Sequence, residues 1–234
     1  MQIAPPDPTL GCESISPLPY KSDTTVMSQS IIPPGGTFID SLKKSFKDVP
    51  VNATDNGIDT LSFLEAAESL TTLFDLLGSV AFTPVKNDML GNIKKIRDRY
   101  LAAPDQSQTL QALVVNEIKS GKHTAAEGLV WLVRGLDFTA QALKQNISNP
   151  TEELSTSFKG AYKGTLAPHH SFLVKPVFSA AMSATPYRKD FYLKLVSNPT
   201  DVPKVQDALK EWLAALEQQV AILKTFQQSK EGKW

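Results

Sequence analysis

From Thr37 to the end of the chain the apolar residues recur three and four positions apart, and strand-like alternation bounded by turn pairs is scarce. That periodicity predicts an all-α domain. A short helix is expected over 40–48, grouping Ile39, Leu42 and Phe46 ahead of Pro50, and a longer one over 59–77 with Gly78 as its C′ residue. The next opens near Thr83 with Pro84 in its first turn and runs to about residue 103, where Pro104 ends it. Helices over 106–120 and 124–146 follow, divided by Gly121. The second is apolar on more than one side, which places it at the centre of the domain. Segments 151–162, 168–185 (with a kink at Pro176), 187–196 and 201–229 complete the set. Two layers of helices around one core fit it, and no internal repeat is visible.

Residues 1–36 read differently. Pro5, Pro6, Pro8, Pro17, Pro19, Pro33 and Pro34 stand among Ser, Thr and Gly with little periodic apolar content, so this stretch is expected to be a disordered leader before a domain over 37–234. Met27 would open a shorter chain.

Lys plus Arg equals Asp plus Glu, at 24 each, so no net field draws the chain to nucleic acid or to an anionic bilayer. Recognition has to come from local chemistry. With Cys12 as the single cysteine, no internal disulfide can form, which suits a reducing cytosol. There is no run of about 18 apolar residues to span a bilayer and no basic-then-apolar secretory signal. G-x-S-x-G, H-E-x-x-H, Walker and G-x-G-x-x-G motifs are missing as well, so the reading calls for no catalytic residue, metal or cofactor.

One polar pattern stands out. At about 100° per residue, Asp88, Asn92 and Lys95 form one row on a helix whose adjoining sector holds Phe82, Val85, Met89, Ile93, Ile96 and Tyr100. A polar row beside an apolar seam can hold an amphiphile's head above a place for its tails, although a solvated helix face has the same spacing. Trp131 lies in the central apolar helix between Gly128 and Gly135, an arrangement that could leave open surface around the indole or simply pack as core. His169 and His170 are adjacent; on a helix they would point about 100° apart and could not grip one metal, but either could hydrogen-bond at a site.

Taken in order, Phe74-Asp-Leu-Leu-Gly-Ser-Val-Ala-Phe82-Thr-Pro-Val-Lys-Asn-Asp88-Met-Leu-Gly-Asn92-Ile-Lys-Lys95-Ile, then Trp131-Leu-Val-Arg134-Gly-Leu, then His170-Ser-Phe172-Leu-Val and Ala184-Thr-Pro186-Tyr187 resemble the glycolipid transfer protein family. The match is closest to its fungal heterokaryon-incompatibility branch and covers about residues 37–234. The resemblance implies a two-layer helical sandwich that carries one glycosphingolipid, of the glucosyl-, galactosyl- or lactosylceramide class, between membranes. It implies that Asp88 accepts from the ceramide amide N–H and a sugar hydroxyl, that Asn92 and Lys95 bind the sugar, that Trp131 stacks on the first sugar ring and that His170 donates to the ceramide carbonyl. Phe172 replaces the tryptophan that animal members place beside the membrane, and Pro176 stands where at least one has lysine.

The chemistry agrees with those roles. A sugar's C–H face lies well on an aromatic plane, while its hydroxyls need donors and acceptors in a fixed pattern. A ceramide amide buried without partners costs a few kcal/mol. Each tail CH₂ costs about 0.8 kcal/mol in water, so an apolar pocket must receive the chains. Phe74, Leu77, Phe82, Val85 and Phe178 are the candidate lining, with core packing as the rival explanation for each. Phe172 and Tyr187 are the candidate membrane contacts, with Lys175, Arg188 and Lys189 near to meet headgroups. The expected setting is the cytoplasm, with transient and peripheral membrane contact. Three rival readings stand beside transfer: a non-transferring glycolipid sensor in fungal self/non-self signalling, a ceramide-1-phosphate carrier, and a lipid hydrolase using Asp88 and His170. Arg134 is the only cation close to Trp131 in sequence, which favours a neutral glycosyl head over a phosphate.

Overall fold

The computed structural model describes residues 32–233, all α with no β-strand among them. The helices are α1 (Thr60–Thr71), α2 (Leu73–Leu76), α3 (Thr83–Ala102), α4 (Leu110–Lys119), α5 (Thr124–Ser148), α6 (Leu154–Gly164), α7 (Lys175–Ser183), α8 (Arg188–Lys194) and α9 (Val202–Gln228). As its apolar faces require, α5 is central and packs on α3, α4, α6 and α9. Up to residue 31 the expected leader, Met27 included, lies outside the described residues. Its last five residues are tied to the domain at both ends: Ile32 and Gly36 are buried, Gly35 turns with φ 73°, and the Ser197 amide donates to the Gly36 carbonyl.

Four expected elements differ, each for a local reason. The 40–48 helix is two 3-10 turns, Phe38–Ser41 and Phe46–Asp48: the Asp40 carboxylate takes the amide and hydroxyl of Thr37 at the start of the first, and Ser45 accepts from the Lys47 amide at the start of the second. The 59–77 helix is broken at Thr72, whose hydroxyl donates to the Ser69 carbonyl. Residues 106–109 precede α4 instead of opening it, since Thr109 is its N-cap and accepts from the Ala112 amide. Residues 168–174 form turns, and helix begins only at Lys175. Pro176 therefore stands in the first turn of α7, where no N–H is needed, and kinks nothing.

Burial of one acid sets the start of α5. Glu117, 3% exposed, receives the amides of Ala125 and Ala126 on its two carboxylate oxygens at 3.0 and 2.7 Å. It satisfies two N-terminal donors and sits at the positive end of the helix dipole. Glu117→Ala is expected to destabilise the fold by about 2–4 kcal/mol by leaving those buried amides unpaired, and Glu117→Gln by less. Thermal unfolding followed by circular dichroism checks the ordering.

Candidate functional site

The polar row forms on α3 as its spacing requires. Lys95 Nζ donates to Asn92 Oδ1 and Asn92 Nδ2 to Asp88 Oδ2, both at 3.3 Å, so base, amide and acid make one continuous chain. Asn92 is buried, Lys95 half-buried and Asp88 exposed at the rim. Although Asp88 as a whole is exposed, partial desolvation of its carboxyl by the surrounding protein pushes its pKa up, and Lys95 pulls it down more weakly. On the adjoining sector Val85, Met89, Ile93 and Ile96 are buried and Tyr100 is half-buried.

A second element meets this row because α5 carries glycine where α3 crosses it. A Cβ on Gly128 would lie 3.2 Å from Lys95 Cβ and 3.3 Å from the Asn92 carbonyl oxygen, and one on Gly135 would lie 3.5 Å from Met89 Cγ. Both glycines thus serve the close approach of the two helices. That corrects the expectation that they open surface around Trp131. The approach brings Asn92 and Lys95 onto the stretch of α5 that carries Trp131, which is half-buried and outside the core.

Two groups pack against the indole. The Arg134 guanidinium sits 4.8 Å from its centroid, a cation–π contact, and the His170 ring stacks at 5.8 Å with 21° between planes. His170 follows α6 in a turn, half-buried, whereas His169 beside it is exposed. Tyr162 Oη lies 3.1 Å from His170 Nδ1 and fixes the ring. Burial, then the positive neighbours His169, Arg134 and Lys175, hold the His170 pKa below the usual histidine value, while burial raises that of Tyr162. Both groups are therefore held in their neutral forms near pH 7.

Beneath His170 begins an aromatic run that spacing alone did not separate from core. His170 meets Phe178 at 4.5 Å, Phe178 meets Phe138 at 6.4 Å, and Phe138 meets Phe158 at 5.6 Å. Phe158 then meets Phe82 at 6.4 Å, and Phe82 stacks on Phe74 at 6.0 Å. All five candidate tail contacts, Phe74, Leu77, Phe82, Val85 and Phe178, are buried in the one hydrophobic core. Sequence reasoning does not single out Phe138 and Phe158, whose helical spacing carries no signal beyond burial.

At the surface, Phe172 is 79% exposed and Leu173 69%, with Val174 and Val177 also exposed around the start of α7. Packing of α7 on the 3-10 turn Val80–Phe82 brings in Val80, 89% exposed. The run Phe172-Leu-Val-Lys-Pro-Val177, apolar just before a helix, is the sequence signal for the larger part of this patch. Tyr187 is also exposed, but it lies beyond the other end of α7, next to Arg188, which donates to Asn146 Oδ1 and to the Pro150 carbonyl. No described helix is long and apolar enough to cross a membrane, and no described group of three His, Cys, Asp or Glu could hold a metal ion.

Comparison with known proteins gives consistent matches. The family profile described as glycolipid transfer protein (GLTP) matches residues 58–197. A glycolipid transfer protein of Aureobasidium melanogenum is 64% identical over 202 residues, 86% of this chain and 98% of the relative. The crystal structure of HET-C2, a fungal glycolipid transfer protein, superposes with a TM-score of 0.81 at 62% identity, covering 85% of this chain and all of that one. A structure of FAPP2, which selects simple glycosphingolipids using the same fold, superposes with a TM-score of 0.75 at 33% identity, covering 82% of this chain and 94% of that one.

Proposed function

The chain belongs to the glycolipid transfer protein family, whose members are lipid carriers and not enzymes, and from that premise we propose that it moves one glycosylceramide at a time between membranes. The observation that carries the reading is the close crossing of α3 on α5 at Gly128, which lays the helix bearing Lys95, Asn92 and Asp88 against the stretch of α5 that carries Trp131, on whose indole His170 stacks. In this proposal the first sugar lies on the indole and its hydroxyls engage Asn92 and Lys95. Asp88 accepts from the ceramide amide and one hydroxyl. Tyr162 Oη donating to His170 Nδ1 leaves the ring proton on Nε2, the donor for the ceramide carbonyl. No bond is broken at any step.

The tails would enter along the aromatic run that starts at Phe178, with Phe74, Leu77, Phe82 and Val85 parting to line their pocket. Dispersion attraction between one ring and the next gives way to attraction between rings and methylenes, so the exchange is nearly balanced once water is excluded. Head classes accepted would be glucosyl-, galactosyl- and lactosylceramide, taken up at transient contacts with cytoplasm-facing membranes.

Docking would use the exposed patch of Phe172, Leu173, Val174, Val177 and Val80, with Tyr187 at the far end of α7 and Lys175, Arg188 and Lys189 near headgroups. Burying an exposed phenylalanine contributes about 1.5–3 kcal/mol. Phe172→Ala is therefore expected to weaken partition onto vesicles about tenfold while leaving binding of short-chain galactosylceramide in solution within twofold. Vesicle sedimentation beside titration in free solution checks the split.

The test of transfer itself is incubation with donor vesicles holding labelled galactosylceramide and separable acceptor vesicles. Arrival of the lipid with its mass unchanged supports a carrier. Binding without arrival would favour a sensor, and a changed mass would favour hydrolysis.

A further inference from the structure

Beside the proposed head site lies a cavity of about 490 Å³ that none of the roles above employs. Its walls come from three places: Val133, Arg134 and Asp137 on α5, His169 after α6, and Lys224, Gln227 and Lys233 at the end of the chain. Gly232 closes the last wall. A Cβ there would collide with the Phe226 carbonyl, so the chain folds back tightly onto the end of α9 and sets Lys233 on the cavity rim.

The polar groups of this cavity are out of balance. The one carboxylate among its described lining residues, Asp137, is already occupied on both oxygens, by Lys224 Nζ and by Gln141 Nε2, each at 2.8 Å. Its donors are largely unspent. Gln227 Nε2 is buried with no partner, and among the described residues neither Arg134 nor Lys233 makes an ion pair. Among the described lining residues, Arg134, Lys224 and Lys233 against Asp137 leave two positive charges in excess. The buried Gln227 Nε2 is costly to leave unpaired, and the half-buried Arg134 guanidinium with an exposed lysine ammonium on the same cavity matches the oxygens of a tetrahedral anion.

We propose that this cavity is an oxyanion site, which takes a sulfate or phosphate ester. Arg134 joins it to the head site, because the same guanidinium packs on Trp131. On the glycolipid-carrier reading, on which this arm rests, an acidic ester carried by the lipid head would project from the sugar past the indole into the cavity. A soluble anion has the same chemistry and could occupy it independently.

Gln227→Leu with Lys233→Glu removes two of the three spare donors and adds a carboxylate, keeps Arg134 on the indole, and leaves Asp88, Asn92, Lys95, Trp131 and His170 untouched. The measurement compares transfer of galactosylceramide with that of its 3-sulfate, and titrates inorganic phosphate calorimetrically into both proteins. Transfer of the neutral lipid within twofold of the parent reports an intact fold, and a loss of about tenfold for the sulfated lipid is expected from charge-assisted hydrogen bonds. That selective loss assigns the site to lipid heads. Phosphate binding by the parent that the variant loses, with both lipids moved equally, assigns it to a soluble anion. No selective loss and no phosphate binding overturns the proposal. If the parent moves neither lipid, the carrier reading fails, and the phosphate titration still decides the cavity.

Discussion

Trp131→Ala is expected to lower glycosylceramide transfer by about 100-fold, while the protein stays folded. The indole is half-buried and contacts Arg134 and His170, so its removal takes away the proposed platform for the sugar and a surface against which both neighbours pack. An aromatic anchor in a desolvated site is worth about 2 kcal/mol or more, and misplacing His170 adds to the loss. A core tryptophan of this size would behave differently. Trp212, fully buried, should cost about 3–5 kcal/mol of stability when cut to alanine, whereas Trp131 should cost about 1–2. Trp131→Phe should recover part of the transfer. The comparison needs initial transfer rates and unfolding midpoints for the three variants; a Trp131→Ala protein that unfolds like Trp212→Ala would mark the residue as core.

Asp88→Asn separates function from stability in the same manner. The two proposed hydrogen bonds to a charged carboxylate would give way to weaker ones to a neutral amide with a single acceptor oxygen, which should reduce transfer roughly 10- to 100-fold. The fold should not suffer. Because burial raises the folded-state pKa of Asp88 above the ordinary value of 3.8, the folded protein takes up this proton more readily than the unfolded chain. The contribution of the group to stability therefore falls as pH rises from 3.8 through the raised pKa, and at neutral pH the charge slightly opposes folding. Removing the charge leaves the unfolding midpoint unchanged or higher. For transfer the sign is opposite: activity is lost as pH falls through the raised pKa, since the protonated acid no longer accepts from both partners. Transfer rate and unfolding midpoint measured between about pH 3.5 and 7.5 should move in opposite directions for this group, and Asp88→Asn should flatten its share of both.

The helices were legible because their apolar stripes repeat, and α5 could be placed at the centre from its residues alone. What spacing could not show was where short polar side chains would interrupt. Asp40, Ser45, Thr72 and Thr109 each capture a nearby backbone group and divide or delay a helix that the apolar pattern would have continued. Pro176 was visible, but its meaning depended on whether helix preceded it, and the turns over 168–174 decide that. At the site, the row 88, 92, 95 followed from helical geometry, whereas Trp131 and His170 lie on distant segments and could be joined to it only through the family resemblance. Gly128 and Gly135 stood in the right neighbourhood with the wrong job assigned to them: a sequence does not reveal which helix will lie against a glycine. Tyr162, which orients His170, carried no signal because an aromatic on an amphipathic helix is ordinarily core.

The central claim is that this surface recognises the sugar of a glycosphingolipid, and it is tested most directly by offering the protein galactosylceramide, ceramide-1-phosphate and unglycosylated ceramide of equal chain length in donor vesicles. Galactosylceramide should reach the acceptor vesicles intact, with ceramide left behind. Equal movement of ceramide and galactosylceramide, or movement of ceramide-1-phosphate with galactosylceramide left behind, would contradict the account.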